Sequence, residues 1–353
     1  MQNNLVLVTP DKTPVNGLKT EEHSSIKKPQ FVTTGQELMN LQIHDIPTLL
    51  DPLIPQTGMI CLAGSSDTGK SSWLRALAMA ITTKEPTFLN FKLNPRHHSA
   101  IYLSSEDDET AISFLLSKQN AGKYSSSTFA DLRFIFDTEN LLRKLDEELT
   151  RKPADAVFLD CFSDLYGNDM NSSNQVRTFL NQFSNLAKKH DTLITWLHHC
   201  SKRSEEAPPS KNNLLGSVGF EGKCRLVLEL RRDNFDPAIR HMNCVKGNYL
   251  SGIYKESSFV LRFTDQLTFE NTGERVPFYQ LGKTEHAAKN KNKHTAAKQR
   301  AIELKEQGMS VRDNTEQLNS EGYKVGKSTV GEWLKDCPSV PETLTEMENG
   351  QAG

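Results

Sequence analysis

One short segment, residues 64–71, has the residue types and spacing of a loop that wraps a phosphate chain. It fits the pattern G-x-x-x-x-G-K-[ST]. Its glycines let backbone N–H groups face the anion, and a following helix would direct its positive end there. Lys70 is expected to reach the β- and γ-phosphates of ATP, and the Ser71 hydroxyl to hold Mg²⁺. The alternative is a glycine turn before an ordinary helix. The expected nucleotide-binding residues are Gly64, Ser65, Ser66, Asp67, Thr68, Gly69, Lys70, Ser71 and Ser72.

Two carboxylates follow apolar runs that resemble buried strands. Asp160 comes after residues 156–159, where a strand-end carboxylate beside the loop can hold Mg²⁺ through water; the alternative is an ordinary strand-end aspartate. Glu106 comes after residues 100–105 and is expected to polarise the attacking water. The same run also fits an acidic helix start, where the helix dipole favours negative charge. The rivals of Glu106 are Asp107, Asp108 and Glu109.

A pair of histidines ends the apolar run 193–197. We expect His199 to sense the γ-phosphate and to relay its state to the loop that follows. The alternative is a histidine that only caps the strand. A metal site built from His198, His199 and Cys200 is not expected, because adjacent residues on a strand point in opposite directions.

A cationic pair precedes another apolar run. If the strand begins at Lys223, then Lys223 and Arg225 lie two residues apart and face the same side. In a ring of subunits, their target would be the γ-phosphate bound by a neighbour, and Arg225 would be the catalytic arginine finger. The alternative is a pair that forms salt bridges at the sheet edge.

Strand-like and helix-like patterns alternate along the chain. Such alternation predicts an α/β fold with a mostly parallel central sheet and crossover helices. The first predicted strands span 58–63, 100–103, 156–159 and 193–197, and the predicted helices span 70–83, 141–150 and 173–190, with a short helix near 35–41. Four further predicted strands, a meander that closes the sheet, span 225–231, 240–246, 258–263 and 267–270.

Composition limits the classes of protein to which the chain can belong. Hydrophobic residues make up 36% and charged residues 24% of the 353 residues, which suits a globular protein with a substantial core. The net charge of -2 does not indicate nucleic-acid binding by charge alone. The six cysteines form no CxxC pair, which favours a reducing compartment. No signal peptide or apolar run of about 20 residues is visible, so we expect a cytoplasmic protein without a membrane partner.

The domain organisation follows from shifts in composition. The predicted parts are a polar N-terminal arm (1–45), an ATPase domain (46–281), a basic linker (282–294), a small all-α module (295–337) and a disordered tail (338–353). Within the module we expect helices at 295–307, 311–318 and 329–335, with Ser310 and Ser328 as N-caps.

The last helix of this module resembles the recognition helix of resolvase-type helix-turn-helix domains. In such domains the last helix enters the major groove of DNA while basic residues contact phosphates. The residues expected to face DNA are Lys324, Lys327, Ser328 and Thr329. The alternative is a helical module that docks a protein. The polar loop 201–213, with Lys202, Arg203 and Lys211, is a second candidate for DNA contact or else a mobile surface loop.

Five segments together resemble the RecA-like P-loop ATPases, and within them the plasmid RepA-type hexameric replicative helicases. In order they read Gly-Ser-Ser-Asp-Thr-Gly-Lys-Ser, Tyr-Leu-Ser-Ser-Glu-Asp, Val-Phe-Leu-Asp, His-His-Cys-Ser-Lys and Leu-Gly-Ser-Val-Gly-Phe, across residues 46–250. The resemblance implies a RecA fold, Mg-ATP at subunit interfaces, a ring of six copies and single-stranded DNA in its channel. It assigns Glu106 as catalytic carboxylate, Asp160 as metal-site residue, His199 as sensor and Arg225 as the finger acting on a neighbour.

These expectations combine into one leading hypothesis and two alternatives. The leading hypothesis is an ATP-hydrolysing, DNA-associated motor, a RepA-like helicase or ATPase that serves replication or mobilisation of a genetic element. One alternative is a regulatory DNA-binding protein whose assembly is switched by ATP, with duplex DNA bound by the C-terminal module. The other is an ATPase accessory to a recombinase.

Overall fold

The structure, a computed structural model, describes residues 32–200, 205–214, 218–282 and 284–335, apart from the side chains of 218 and 284–293. Most of the predicted polar arm, Lys202 and Arg203 of the predicted loop, and the predicted tail lie outside these residues. The chain divides into two units, 1–45 and 46–353. The described part of the first holds the predicted short helix, α1 (Gly35–Met39), which a capping box between Thr34 and Glu37 begins.

The second unit contains two β-sheets and the helices around them. Its strands are β1 (Thr48–Asp51), β2 (Ile54–Pro55), β3 (Gly58–Gly64), β4 (Thr87–Phe88), β5 (Phe91–Leu93), β6 (Ala100–Ser104), β7 (Leu132–Ile135), β8 (Ala156–Asp160), β9 (Leu193–His199), β10 (Leu226–Arg232), β11 (Ile239–Gly247), β12 (Ser257–Phe263) and β13 (Phe269–Pro277). Its helices are α2 (Lys70–Thr82), α3 (Glu109–Asn120), α4 (Leu141–Arg151), α5 (Phe162–Leu165), α6 (Ser173–Lys189), α7 (Val218–Lys223), α8 (Thr284–Glu306), α9 (Val311–Ser320) and α10 (Lys327–Trp333).

The large sheet has nine strands in the order β13-β12-β11-β10-β3-β9-β8-β6-β7. From β10 to β7 all neighbours are parallel, and β10 to β13 form an antiparallel meander. The predicted mostly parallel α/β fold with a closing meander is therefore confirmed. Strand β8 shows why: each of its five residues is buried, as expected for a parallel strand covered on both faces.

Helices cover both faces of the large sheet. On one face, α2 packs Trp73 and Leu77 into a core that also includes the small antiparallel sheet, in the order β2-β1-β5-β4. On the other, α6 buries Val176, Leu180 and Phe183 at helical spacing, and Phe183 meets Trp196 of β9 at a ring-centroid distance of 4.8 Å. Because both faces are covered, the functional groups of the parallel strands are left at their ends.

The C-terminal helices form their own small core. Five buried residues make it, namely Ala301, Leu304, Leu318, Val330 and Leu334. The structure attaches this module to the rest of the unit through His294, whose ring stacks on Tyr279 at 5.0 Å and meets Trp333 edge-on at 4.9 Å. The predicted N-cap Ser310 is confirmed, since its hydroxyl accepts a hydrogen bond from Asp313 N at 3.2 Å.

Two details of this module differ from the sequence-based expectation. The basic linker predicted at 282–294 is wrong for most of its length, because α8 begins at Thr284 and not at 295. Alanine and lysine favour helix, and the segment contains no proline or glycine after Gly282 to interrupt it. Ser328 is also not an N-cap, because the extended Gly326 takes that position and the helix begins at Lys327.

Among the helices that the structure describes, none combines the length and the apolar character needed to cross a lipid bilayer.

Candidate active site

The loop at 64–71 joins the carboxyl end of β3 to the amino end of α2. Gly64 is required there, because a Cβ at this position would lie 2.4 Å from Leu230 O. Gly69 has a φ of 92° and immediately precedes Lys70, the first residue of α2. Both glycines therefore serve the sharp turn that directs the loop amides toward the helix start. Of the other predicted contact residues, Ser65, Thr68 and Ser72 are buried, Ser71 is half-buried, and Ser66 and Asp67 are exposed.

The Lys70 ammonium lies inside the loop. Its Nζ donates a hydrogen bond to Ser65 O at 2.7 Å, and the residue is 5% exposed. Burial lowers the pKa of Lys70 below its ordinary value, while the acidic groups of Asp160 and Glu106 oppose this shift. A cation that has lost part of its hydration in this way gains strongly from an incoming phosphate.

Asp160 and Ser71 offer two oxygen donors beside the loop. Asp160 ends β8, and its Oδ2 accepts a hydrogen bond from Tyr102 OH at 2.6 Å. Burial raises the pKa of Asp160, and hydrogen bonds from the Tyr102 and Ser71 hydroxyls oppose that rise. Carboxylate and hydroxyl oxygens are the hard ligands that Mg²⁺ prefers, so this donor set fits the ion that the sequence predicts.

Glu106 lies just beyond β6 with its side chain 59% exposed. Its Oε1 is 3.4 Å from Cys161 Sγ and 4.0 Å from His199 Nε2. Among the rivals, Asp108 is the N-cap of α3 and Glu109 is in its first turn. The acidic run is therefore divided: part of it begins a helix, and Glu106 faces the ends of the neighbouring strands.

The two histidines of β9 face opposite sides of the sheet. His198 is buried and stacks on Phe220 at 4.6 Å, on the face covered by α6. His199 is half-buried and turned toward Glu106. Burial and the nearby Lys70 lower the pKa of His199, so its imidazole is neutral near pH 7.

Comparison with known proteins agrees with this geometry. Residues 22–205, just over half of the chain, match the family model described as AAA domain. The chain belongs to the AAA domain family. Its fold is similar to a solved structure of the ATPase domain of a replicative helicase, with a TM-score of 0.51 and 14% identity over 67% of this chain and 95% of that one. Among curated proteins, the search found no match. The AAA domain of this chain thus has the RecA-like P-loop NTPase fold.

Two arginines that sequence reasoning missed brace the phosphate loop of the AAA domain from the β10–β11 hairpin. Arg232 Nη2 donates to Asp67 O at 2.8 Å, and Arg240 Nε donates to Thr68 O at 3.0 Å. Arg240 also lies over the Phe263 ring at 4.9 Å. Both contacts are to backbone carbonyls, which carry no sequence signal, so only the position of the hairpin in the sheet could have indicated them.

The segment that follows β9 in the AAA domain also touches the loop. Ser65 Oγ donates a hydrogen bond to Glu205. Nearby, Arg231 Nη1 donates to Ala207 O at 2.6 Å and Arg231 Nη2 pairs with the buried Glu229 at 2.8 Å. The buried ion pair of β10 therefore holds a segment that reads the loop directly.

The expectation for Lys223 and Arg225 needs a correction. Lys223 is the last residue of α7, and β10 begins only at Leu226, so strand alternation does not align the two cations. Arg225 is exposed, and its backbone N donates to Met59 O at 2.8 Å, at the amino end of β3. The loop begins at the other end of that seven-residue strand, roughly 20 Å away at 3.3 Å per residue. Arg225 is thus too far from the loop of its own chain to act on it.

We expect the Tyr102 hydroxyl to control the acid side of the pH profile. Its hydrogen bond favours the ionised form of Asp160, so Tyr102→Phe should raise the pKa of Asp160 further, by about one unit. The acid limb of Mg²⁺-dependent ATP turnover should then move to higher pH. Tyr166→Phe, which changes another buried tyrosine, is the control and should leave the profile in place. An unshifted limb in Tyr102→Phe would exclude Asp160 as the group titrating there.

Proposed function

We propose that this protein is an ATP-driven motor acting on DNA, a RepA-like helicase or ATPase in the replication or mobilisation of a genetic element. It works as a homo-oligomer, a ring of six copies. One observation carries the ATPase part of the proposal. Neighbouring parallel strands β3, β9, β8 and β6 end together, and their ends gather a cation, oxygen donors, a neutral histidine and a free-standing carboxylate.

The chemistry assigned to each side chain follows from its surroundings. Lys70 and the loop amides bind the β- and γ-phosphates of ATP. Ser71 and Asp160 hold Mg²⁺, which when bound neutralises charge on the phosphates. Glu106, exposed at the mouth of the site, orients the attacking water and accepts its proton. His199, within 4.0 Å of Glu106, senses the γ-phosphate.

The DNA-contacting part of the motor is assigned to the segment after β9. This segment directly follows His199, and it touches the phosphate loop through Glu205. A change in the nucleotide is therefore transmitted to it over a short path. Lys211, which is exposed in its described part, offers a positive charge for the backbone of single-stranded DNA.

Strand separation on forked DNA tests this proposal. The wild-type protein with Mg-ATP should separate the strands, and a nucleotide analogue that cannot be hydrolysed should not support the reaction. Binding to one duplex sequence without any separation of a fork would contradict a helicase and would favour the regulator.

The second candidate is an ATP-switched DNA-binding regulator, and the C-terminal module favours it. The module packs against the ATPase domain through Tyr279, His294 and Trp333, so a change of nucleotide state can alter its position. Lys324, Lys327 and Ser328 are exposed at the start of α10, and Thr329 is half-buried. The same surface would dock a protein if the chain is an ATPase accessory to a recombinase.

Duplex binding by this module should depend on its lysines. Changing both Lys324 and Lys327 to glutamate should weaken binding to duplex DNA and reduce the slope of log K against log salt by about 2, one for each lost phosphate contact. Fluorescence anisotropy at several salt concentrations measures both effects. The control replaces the exposed Lys84 and Lys118 of the ATPase domain in the same way. Equal losses in the two double variants would mean that net charge, not the module, binds the duplex.

A further inference from the structure

Three neighbouring parallel strands end with side chains that are all ligands for transition metals. Glu106 follows β6, Cys161 follows β8, and His199 ends β9. One ligand atom from each lies within 4.8 Å of the other two. The carboxylate oxygen Oε1 of Glu106 is 3.4 Å from Cys161 Sγ and 4.0 Å from His199 Nε2.

These distances are close to those of a tetrahedral zinc site. Bonds of about 2.3 Å to sulfur and about 2.1 Å to nitrogen and oxygen place tetrahedral ligand atoms roughly 3.4–3.6 Å apart. The sulfur–oxygen distance already has this value, and the nitrogen–oxygen distance needs a shift of about half an ångström, which the exposed Glu106 side chain can supply by rotation. Three protein ligands leave the fourth position to water.

The ligand set also separates this group from the magnesium donors. Mg²⁺ takes oxygen ligands in octahedral geometry, whereas a thiolate and an imidazole select softer ions such as Zn²⁺. Ser71 and Asp160 belong to the first kind of site, and Cys161 and His199 to the second. Two adjacent residues, Asp160 and Cys161, thus direct different chemistry to the same edge of the sheet.

We propose that Glu106, Cys161 and His199 form a binding site for Zn²⁺ and that Zn²⁺ bound there stops ATP hydrolysis. The inhibitory half of this statement rests on the proposed function, because it takes Glu106 as the group that orients water and His199 as the sensor. Binding releases the thiol proton of Cys161 to solvent and forms a bond from the thiolate to the metal. A carboxylate and an imidazole that coordinate Zn²⁺ are no longer available to the attacking water or to the γ-phosphate.

The accessibility of the three ligands sets how the ion enters. Cys161 is fully buried, whereas the Glu106 side chain is 59% and that of His199 32% exposed. Glu106 and His199 therefore meet the ion first, and rotation of Glu106 exposes the sulfur beneath it.

The binding half is tested without any ATP. Co²⁺ replaces Zn²⁺ in such sites and gives visible d–d bands and a near-ultraviolet charge-transfer band when a thiolate is bound. Titration of the nucleotide-free full-length protein should produce these bands, and added Zn²⁺ should abolish them. Cys161→Ser should lose the charge-transfer band, while Cys200→Ser, a buried cysteine next to His199, should keep it. No thiolate band, or one that survives in Cys161→Ser, would overturn the site.

The inhibitory half is tested by ATP turnover at buffered concentrations of free Zn²⁺ with Mg-ATP in excess. The wild-type protein and Cys200→Ser should be inhibited alike, and Cys161→Ser should need at least about tenfold more free Zn²⁺ while turning over normally without it. Zn²⁺ binding that leaves turnover unchanged, or increases it, would overturn the inhibitory role. A wild-type protein that does not hydrolyse ATP would refute the proposed function alone, because the Co²⁺ titration still decides the site.

Discussion

Lys70→Ala is expected to reduce ATP turnover by at least about 10²- to 10³-fold. The reason is the position of the ammonium inside the phosphate loop, where burial removes part of its hydration and leaves it to interact with phosphate. Alanine keeps the helix α2 intact, since it is the best helix former, so the loss should not come from unfolding. Phosphate release at saturating Mg-ATP measures the effect.

The matched control for this variant is Lys84→Ala. Lys84 is exposed just beyond the other end of α2, so its loss removes the same charge without touching the loop. The control should turn over ATP at the wild-type rate. Near-normal turnover by Lys70→Ala would show that the loop at 64–71 is not the hydrolytic site.

Arg225→Ala is expected to lower turnover by about 10³-fold or more while largely sparing ATP binding. Arg225 lies at the amino end of the strand whose carboxyl end carries the loop, so it can reach only a site on another copy. Its guanidinium would stabilise charge in the transition state, which binding of ATP alone does not require. Turnover and nucleotide affinity, measured on the same preparation, separate these effects.

Mixing the two inactive variants makes the test sharper. A ring that holds both Lys70→Ala and Arg225→Ala chains contains interfaces with an intact Lys70 on one side and an intact Arg225 on the other. Such mixtures should regain part of the lost turnover. Arg262→Ala, at an exposed position on β12, should behave as wild type. Mixtures without any recovery would argue against action between subunits, and loss of ATP affinity together with the fold would indicate a structural role for Arg225.

The parallel half of the fold could be predicted because its strands are continuous apolar runs followed by helices. Helix α3 was missed since only Ile112 and Gln119 of its residues are buried, so it shows no apolar stripe. The small sheet was missed because its strands are two to four residues long. Residues 284–294 were taken for a linker because polar character was given more weight than helix propensity.

The local parts of the site could be predicted, and the contacts between distant segments could not. The loop and Asp160 have signals in their immediate neighbours in the sequence. Cys161 had none, because its meaning depends on Glu106 and His199, which the order of strands brings to the same edge. Lys223 and Arg225 were paired on the assumption of one strand, which the helix α7 does not allow.

The most direct test of the central claim is ATP turnover by the purified wild-type protein with no DNA, with single-stranded DNA and with duplex DNA. The account predicts strong stimulation by single strands, because the segment after β9 links DNA contact to the phosphate loop through Glu205. Turnover that ignores DNA, or responds only to duplex, would contradict the motor and support the ATP-switched regulator.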